Sequence, residues 1–186
     1  TGGINKDLKV CVPFLDALTA GYCIELPCDV LVEQDPRGVG FFWHELPEPI
    51  EMRSKDIAST MPRPLGCDED MYAWMMDWAI QTPPGYSLLV THPLNRFDLP
   101  FVTTSGIMDS DMYASAGQIP FFLKAGFSGV IPAGTPIAQL IPIKRDDWVS
   151  EELEYDEKLL KKTKYKVQRF LYGGYKKLFW QKKNYS

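Results

Sequence analysis

Residues 74–91 read WMMDWAIQTPPGYSLLVT, and this stretch decides the fold class. Trp74, Met76, Trp78 and Ile80 alternate with Met75, Asp77, Ala79 and Gln81, so one side of the segment is strongly apolar. Side chains of an extended chain point alternately to opposite faces, and this period of two predicts a strand. Pro83-Pro84-Gly85 comes next. Pro84 suits the second position of a type II turn, and Gly85 supplies the positive φ of the third. Residues 86–91 then return as a strand, so the unit is expected to be a β-hairpin.

The same reading extends in both directions. Residues 22–26, 29–33 and 39–44 are strand candidates on one side; 102–108, 119–123 and 137–143 are candidates on the other. Ile131-Pro132-Ala133-Gly134 supplies another turn. Short strands at this spacing, with 15 prolines and 14 glycines, favour a sandwich or barrel over a helical bundle. Residues 1–9 read as a loose arm, and 11–18 as an apolar stretch broken by Pro13. Residues 45–69 hold Pro47, Pro49, Pro62 and Pro64 without a sustained period, so they are expected to be an irregular insertion.

The chain's end has a different period. Ser150 can cap a helix, with Glu151 and Glu152 in its first turn. Leu153, Leu160, Val167, Phe170 and Leu171 fall on one face at helical spacing, and Gly173-Gly174 would end the helix. A short basic, aromatic tail over 175–186 follows. The expected organisation is therefore a β domain over 1–149 and a helical extension with its tail over 150–186.

Charge narrows the partners. The net charge is -4, yet Lys158 onward carries 10 of the 20 basic residues and no acidic one. The remainder sets 10 basic against 24 acidic residues, and so acidic a body repels a nucleic-acid backbone. Nucleic acid or an acidic partner is expected only at the basic C-terminal end, where a solvated helix face is the plainer reading. No apolar run approaches the roughly 18 residues of a membrane span, and no charged-then-apolar leader opens the chain. A cytoplasmic location is expected. Cys11, Cys23, Cys28 and Cys67 lack zinc-knuckle spacing, which favours reduced thiols.

Four segments stand in a telling order. They are Ala20-Gly21-Tyr22-Cys23-Ile24-Glu25-Leu26; Pro83-Pro84-Gly85-Tyr86 with His92-Pro93-Leu94-Asn95-Arg96; Gly106-Ile107-Met108-Asp109-Ser110-Asp111; and Pro132-Ala133-Gly134-Thr135-Pro136-Ile137-Ala138-Gln139-Leu140-Ile141. In sequence they resemble the first four motifs of the dUTPase family: Ala-Gly-x-Asp-Leu, Pro-Arg-Ser-Gly, Gly-Val-Ile-Asp-x-Asp-Tyr-Arg-Gly and Gly-x-Arg-Ile-Ala-Gln-Leu. The chain as a whole also resembles an uncharacterised family of large tailed phages and marine metagenomic sequence, which brings no known activity.

The resemblance implies an all-β, dUTPase-like (β-clip) barrel or sandwich with a C-terminal helical extension. It also implies a homotrimer with sites built between subunits, in a host cytoplasm or associated with a virion. Asp109 would orient the attacking water as catalytic base and contact the sugar, since a carboxylate accepts a proton while holding water in line with phosphorus. Asp111 matches the second aspartate, and Gln139 matches the glutamine that reaches the phosphates. Asn95, Arg96, Gly106 and Tyr113 complete the nucleotide-binding candidates.

The departures are chemical. Cys23 stands where an aspartate helps hold Mg²⁺ through water, and a soft thiol is a poor partner for a hard cation. Leu94 and Asn95 replace an arginine and a serine, Met112 replaces the stacking tyrosine, and Pro136 replaces another arginine. Tyr172-Gly173-Gly174-Tyr175 only echoes the family's glycine-rich tail. Phosphoryl chemistry depends on positioning and charge neutralisation. No metal or cofactor is therefore expected, with Mg²⁺ only for an active hydrolase. Three functions follow: a non-catalytic assembly or binding module, a dUTP-type pyrophosphatase, and a nucleotide binder without turnover. Plain readings compete: Asp109 as a turn residue, Gln139 as a bonded strand residue, His92 as structural, and the Trp74 stripe as core or interface.

Overall fold

The computed structural model describes residues 11–44, 47–53, 55–114, 116–170 and 173–184. The arm expected over 1–9 and the residues Leu171 and Tyr172 lie outside them. The described chain is mostly β, in three antiparallel sheets with a small helical part.

One unit spans Gly21–Arg145. Its first sheet has the order β1 (Tyr22–Glu25), β11 (Pro136–Lys144), β6 (Tyr86–Thr91), β8 (Gly106–Met108). The second is β10 (Gly129–Ile131), β2 (Val30–Asp35), β3 (Gly38–Phe42), and the third is β4 (Ile50–Met52), β5 (Cys67–Ala79), β9 (Ala116–Lys124), β7 (Phe101–Thr103). All three sheets feed one core. Trp74 stacks on Phe121 with ring centres 3.8 Å apart, and Phe101 meets Trp74 edge-on at 4.8 Å. Val30, Val32, Ile131, Ala138 and Leu140 close the same core from the other two sheets. Rings of this size remove a large apolar area from water, which is the main favourable contribution here.

The expected 74–91 hairpin does not form. The turn is as expected: Tyr86 N–H donates to Pro83 O at 3.2 Å, and Gly85 has φ +85°. The strands it joins, however, belong to different sheets, because β5 pairs with the distant β9 and β6 pairs with β11 and β8. The apolar stripe also stops early. Trp74 and Met76 are buried, but Trp78 is half exposed. Met71 and Ala73, on the opposite side of β5, are buried too. Met71 and Phe122 form a second small cluster with Cys67 and Ala58.

Ala58 belongs to α2 (Lys55–Thr60), so residues 45–69 are not simply irregular: they contain β4, α2 and the start of β5. The candidate strand 102–108 is in fact two strands, β7 and β8, in different sheets, and Thr104-Ser105 carries the chain between them.

A second unit holds α1 (Val12–Leu18), residues 146–156, α3 (Glu157–Gln168) and α4 (Gly174–Leu178). Pro13 does not break the first of these; it sits in the opening turn of α1, where a missing N–H costs nothing. The cap expected at Ser150 forms six residues later, where the Asp156 carboxylate accepts from Leu159 N–H at 2.9 Å. Residues 146–156 carry closely spaced like charges, which oppose an earlier start. Gly173, at φ +68°, lies between the two C-terminal helices, and part of the expected tail is α4.

Candidate functional site

The four motif-like segments converge on the sheet β1-β11-β6-β8. Cys23, Gln139 and Thr91 stand side by side on three adjacent strands. Gly21, at φ +64°, lets β1 approach so closely that a Cβ would collide with the Leu140 carbonyl. Gly106 pairs with Val90 on the fourth strand. The candidate residues nevertheless fall into two groups. Gln139 and Ile143 are four residues apart on β11, roughly 13 Å at the usual rise, and the groups sit at those two positions.

Asp109 and Asp111 occupy the Ile143 end, just beyond β8. The segment is stitched to the Pro83–Gly85 turn. Thr82 and Ser110 share a buried hydrogen bond between hydroxyls at 2.7 Å, and Thr82 Oγ1 donates to Tyr86 O at 2.9 Å. Gly85 N–H donates to Asp111 Oδ2 at 2.9 Å, and Ser87 Oγ donates to Asp109 Oδ1 at 2.7 Å. Arg145 clasps the Asp111 carboxylate with both Nη atoms and lies 3.3 Å from Asp109 Oδ1. That guanidinium, with the Gly85 N–H behind it, holds Asp111 down at a pKa of about 2. The Asp111 side chain is only 3% exposed, whereas that of Asp109 is 66% exposed. Met112 and Tyr113 N–H groups both donate to Asp109 O at 3.0 Å, so the run is a turn that leaves the Tyr113 ring in solvent.

Asn95, Arg96 and Gln139 occupy the other end. Gln139 is buried, and its Oε1 accepts from Leu94 N–H at 2.8 Å. Asn95 holds φ +63°, which its short polar side chain tolerates better than most residues. Arg96 makes a paired contact with Asp98 (2.9 and 2.8 Å), and this interaction holds Asp98 near a pKa of about 2. His92 is structural. Its Nδ1 accepts from Thr103 N–H at 3.3 Å, so Nε2 carries the proton and donates to Arg96 O at 3.0 Å. Burial lowers its pKa and keeps the ring neutral. Cys23 is exposed on β1; partial burial raises its thiol pKa, while nearby Arg96 opposes that shift.

Gly106 opens onto a cleft of about 320 Å³. Met76, Val90, Ile107, Met108 and Gly117 give it apolar walls, and Thr104 and Ser105 give it a polar edge. A Cβ at Gly106 would meet nothing within 4 Å, so the glycine leaves room that a side chain would fill. Trp74 does not reach this cleft. It lies in the core, with Nε1 donating to Thr103 Oγ1 at 3.2 Å.

Sequence reading missed Arg145, the cation on which the two aspartates converge. The available signal was its position: it follows β11 by one residue and shares the period-two face of Gln139. Ser87 and Thr82 were missed for a similar reason, since their roles depend on a loop distant in sequence. No protein-family model matches the chain, and no curated protein matches it.

Proposed function

We propose that the chain is a dUTPase-like, phage-type scaffold serving as a non-catalytic assembly or binding module, with a homotrimer as its expected assembly. The observation that carries this reading is the Arg145–Asp111 clasp. The carboxylate that matches the second aspartate of a hydrolase motif is buried, neutralised and bonded to a turn N–H. Gln139, matching a phosphate-reaching glutamine, uses its carbonyl on Leu94. Polar groups so occupied act on the fold before they can act on a ligand.

The test is direct. Purified protein is incubated with each deoxynucleoside triphosphate and Mg²⁺, and pyrophosphate is measured. No release above the protein-free rate is expected. Turnover abolished by Asp109→Asn would establish instead the pyrophosphatase reading, in which the exposed Asp109 is the base.

A second reading, nucleotide binding without turnover, is favoured by the cleft at Gly106, whose apolar walls and polar edge suit a flat heterocycle. It predicts that a nucleotide raises the melting temperature without product, because a ligand that binds only the native state stabilises it. An unchanged melting temperature with every nucleotide would reject it.

A further inference from the structure

We infer that the α3–α4 region of the C-terminal unit is a binding surface for single-stranded nucleic acid. The inference is independent of what the β unit does. From Lys158 on, the chain has 10 basic and no acidic residues, so the region carries a dense positive charge. Lys158, Lys162, Lys166 and Arg169 recur at intervals of three or four residues, which puts one cation per turn along one face of α3. Val167 lies on the other side, where the Gly174 backbone presses against it; a Cβ on Gly174 would lie 2.5 Å from Val167 O.

Between the helices is a groove of about 460 Å³ lined by Lys166, Arg169, Phe170 and Leu178. Phe170 is the aromatic residue of its lining, and charge surrounds both that ring and the Trp180 ring outside the groove. Lys177 Nζ lies 5.1 Å from the Phe170 ring centre, and Lys176 and Lys183 lie 5.9 and 5.5 Å from the Trp180 ring. Lys183 is already engaged, since it pairs with Asp16 at 2.6 Å.

A ligand that suits this surface alternates flat apolar faces with regularly spaced anions. A single strand does so, because its bases are free to stack on aromatic rings while its phosphates follow the lysines. A lipid surface asks for something else: an open apolar face segregated from the basic one. Here Val167 of α3 meets α4 and the rings lie among lysines rather than on a separate face, while Leu159 and Leu160 of α3 are themselves exposed. The acidic run before α3 does not cancel the charge at the groove. It ends at Glu157, which pairs with Lys161 at 2.7 Å. Lys166 and Arg169 lie nine and twelve residues further on, about 14 to 18 Å along the helix, beyond the ~8 Å Debye length of physiological salt.

The experiment uses the full chain and a fluorescein-labelled oligothymidylate of about 20 nucleotides, followed by anisotropy between about 50 and about 200 mM salt. Binding should weaken with salt, with a log–log slope near -3 if about four phosphates are neutralised. Lys166→Gln with Arg169→Gln should reduce the slope by about 1.4. Phe170→Ala should weaken binding about tenfold and leave the slope unchanged, and Phe170→Trp should restore it. These side chains are at least one-third exposed or line the open groove, and circular dichroism confirms that each variant keeps its helices.

Three results would overturn the inference. One is no anisotropy change at the lowest salt. Another is equal displacement of the oligonucleotide by polyglutamate of the same charge, with Phe170→Ala behaving as wild type. The third is binding to phosphatidylserine vesicles without binding to the oligonucleotide.

Discussion

The two ends of the β1-β11-β6-β8 sheet use polar residues in opposite ways. At the Gln139 end, beside the exposed Arg96–Asp98 pair, a neutral set of inner groups is bonded mainly to backbone: Gln139 to Leu94, His92 to Arg96 and Thr103, Thr103 Oγ1 to Ile137 O at 2.6 Å. At the Arg145 end a charged cluster lies near the surface, with one carboxylate enclosed and the other open, beside the buried Thr82–Ser110 bond. A buried neutral network stabilises by leaving no group unpaired, and its loss is expensive. A surface ion pair contributes less, because water and salt screen it. The fold should therefore depend more on the first network, and Asp109 at the second end is the carboxylate left open to solvent.

Substitutions can break that contrast. The largest effect is expected from Thr103→Val, which keeps the shape but strands Trp74 Nε1–H and the Ile137 carbonyl in the core. Urea unfolding should report a loss of about 2–4 kcal/mol; a loss near zero would mean that these bonds are dispensable. Gln139→Leu comes next, leaving Leu94 N–H without its acceptor, with an expected cost of about 1–3 kcal/mol. Arg145→Met should lower the melting temperature by less than either substitution.

Its clearer signature is in acid. The Asp111 pKa is held near about 2 in the folded chain, below its ordinary 3.8. A carboxylate lowered in this way stabilises the fold above its unfolded pKa, and that contribution disappears as pH falls through the folded value. Wild-type stability should therefore drop between about pH 4 and pH 2, and Arg145→Met should show a shallower drop over the same window. The smallest effect belongs to Asp109→Asn. Its side chain is mostly in solvent, and thermal melts of the variant and the wild type should coincide. A measurable loss there would erase the distinction between the two carboxylates.

Much of the β framework was legible from local pattern. Strands β1, β2, β3, β6, β9 and β11 lie where alternation and turn residues put them, because the physics that sets them acts over a few residues. What was not legible is long-range or weakly encoded. No feature of 74–91 says that β5 pairs with β9, some forty residues on, since a strand can satisfy its backbone with any partner. The acidic Cys67-Asp68-Glu69-Asp70 disguised the start of β5. The six residues of α2 have little intrinsic helicity and owe their shape to the cluster around Met71 and Phe122.

The candidate site followed the same division. The sheet that gathers Cys23, Gly106 and Gln139 was not read from the sequence, whereas the turn reading of Asp109 and the bonded reading of Gln139 agree with the geometry. Arg145 belongs to no motif and is identified only by the carboxylates it meets in space.

The central claim is that Asp111, a position to which the resemblance would assign chemistry, helps hold the fold together. The most direct measurement is the melting temperature of Asp111→Ala against wild type. Removing this carboxylate leaves the Gly85 N–H and the Arg145 guanidinium without their shared acceptor, so a fall of more than about 2 °C is predicted. An unchanged or higher melting temperature would contradict the account, because groups retained for chemistry commonly cost a fold stability.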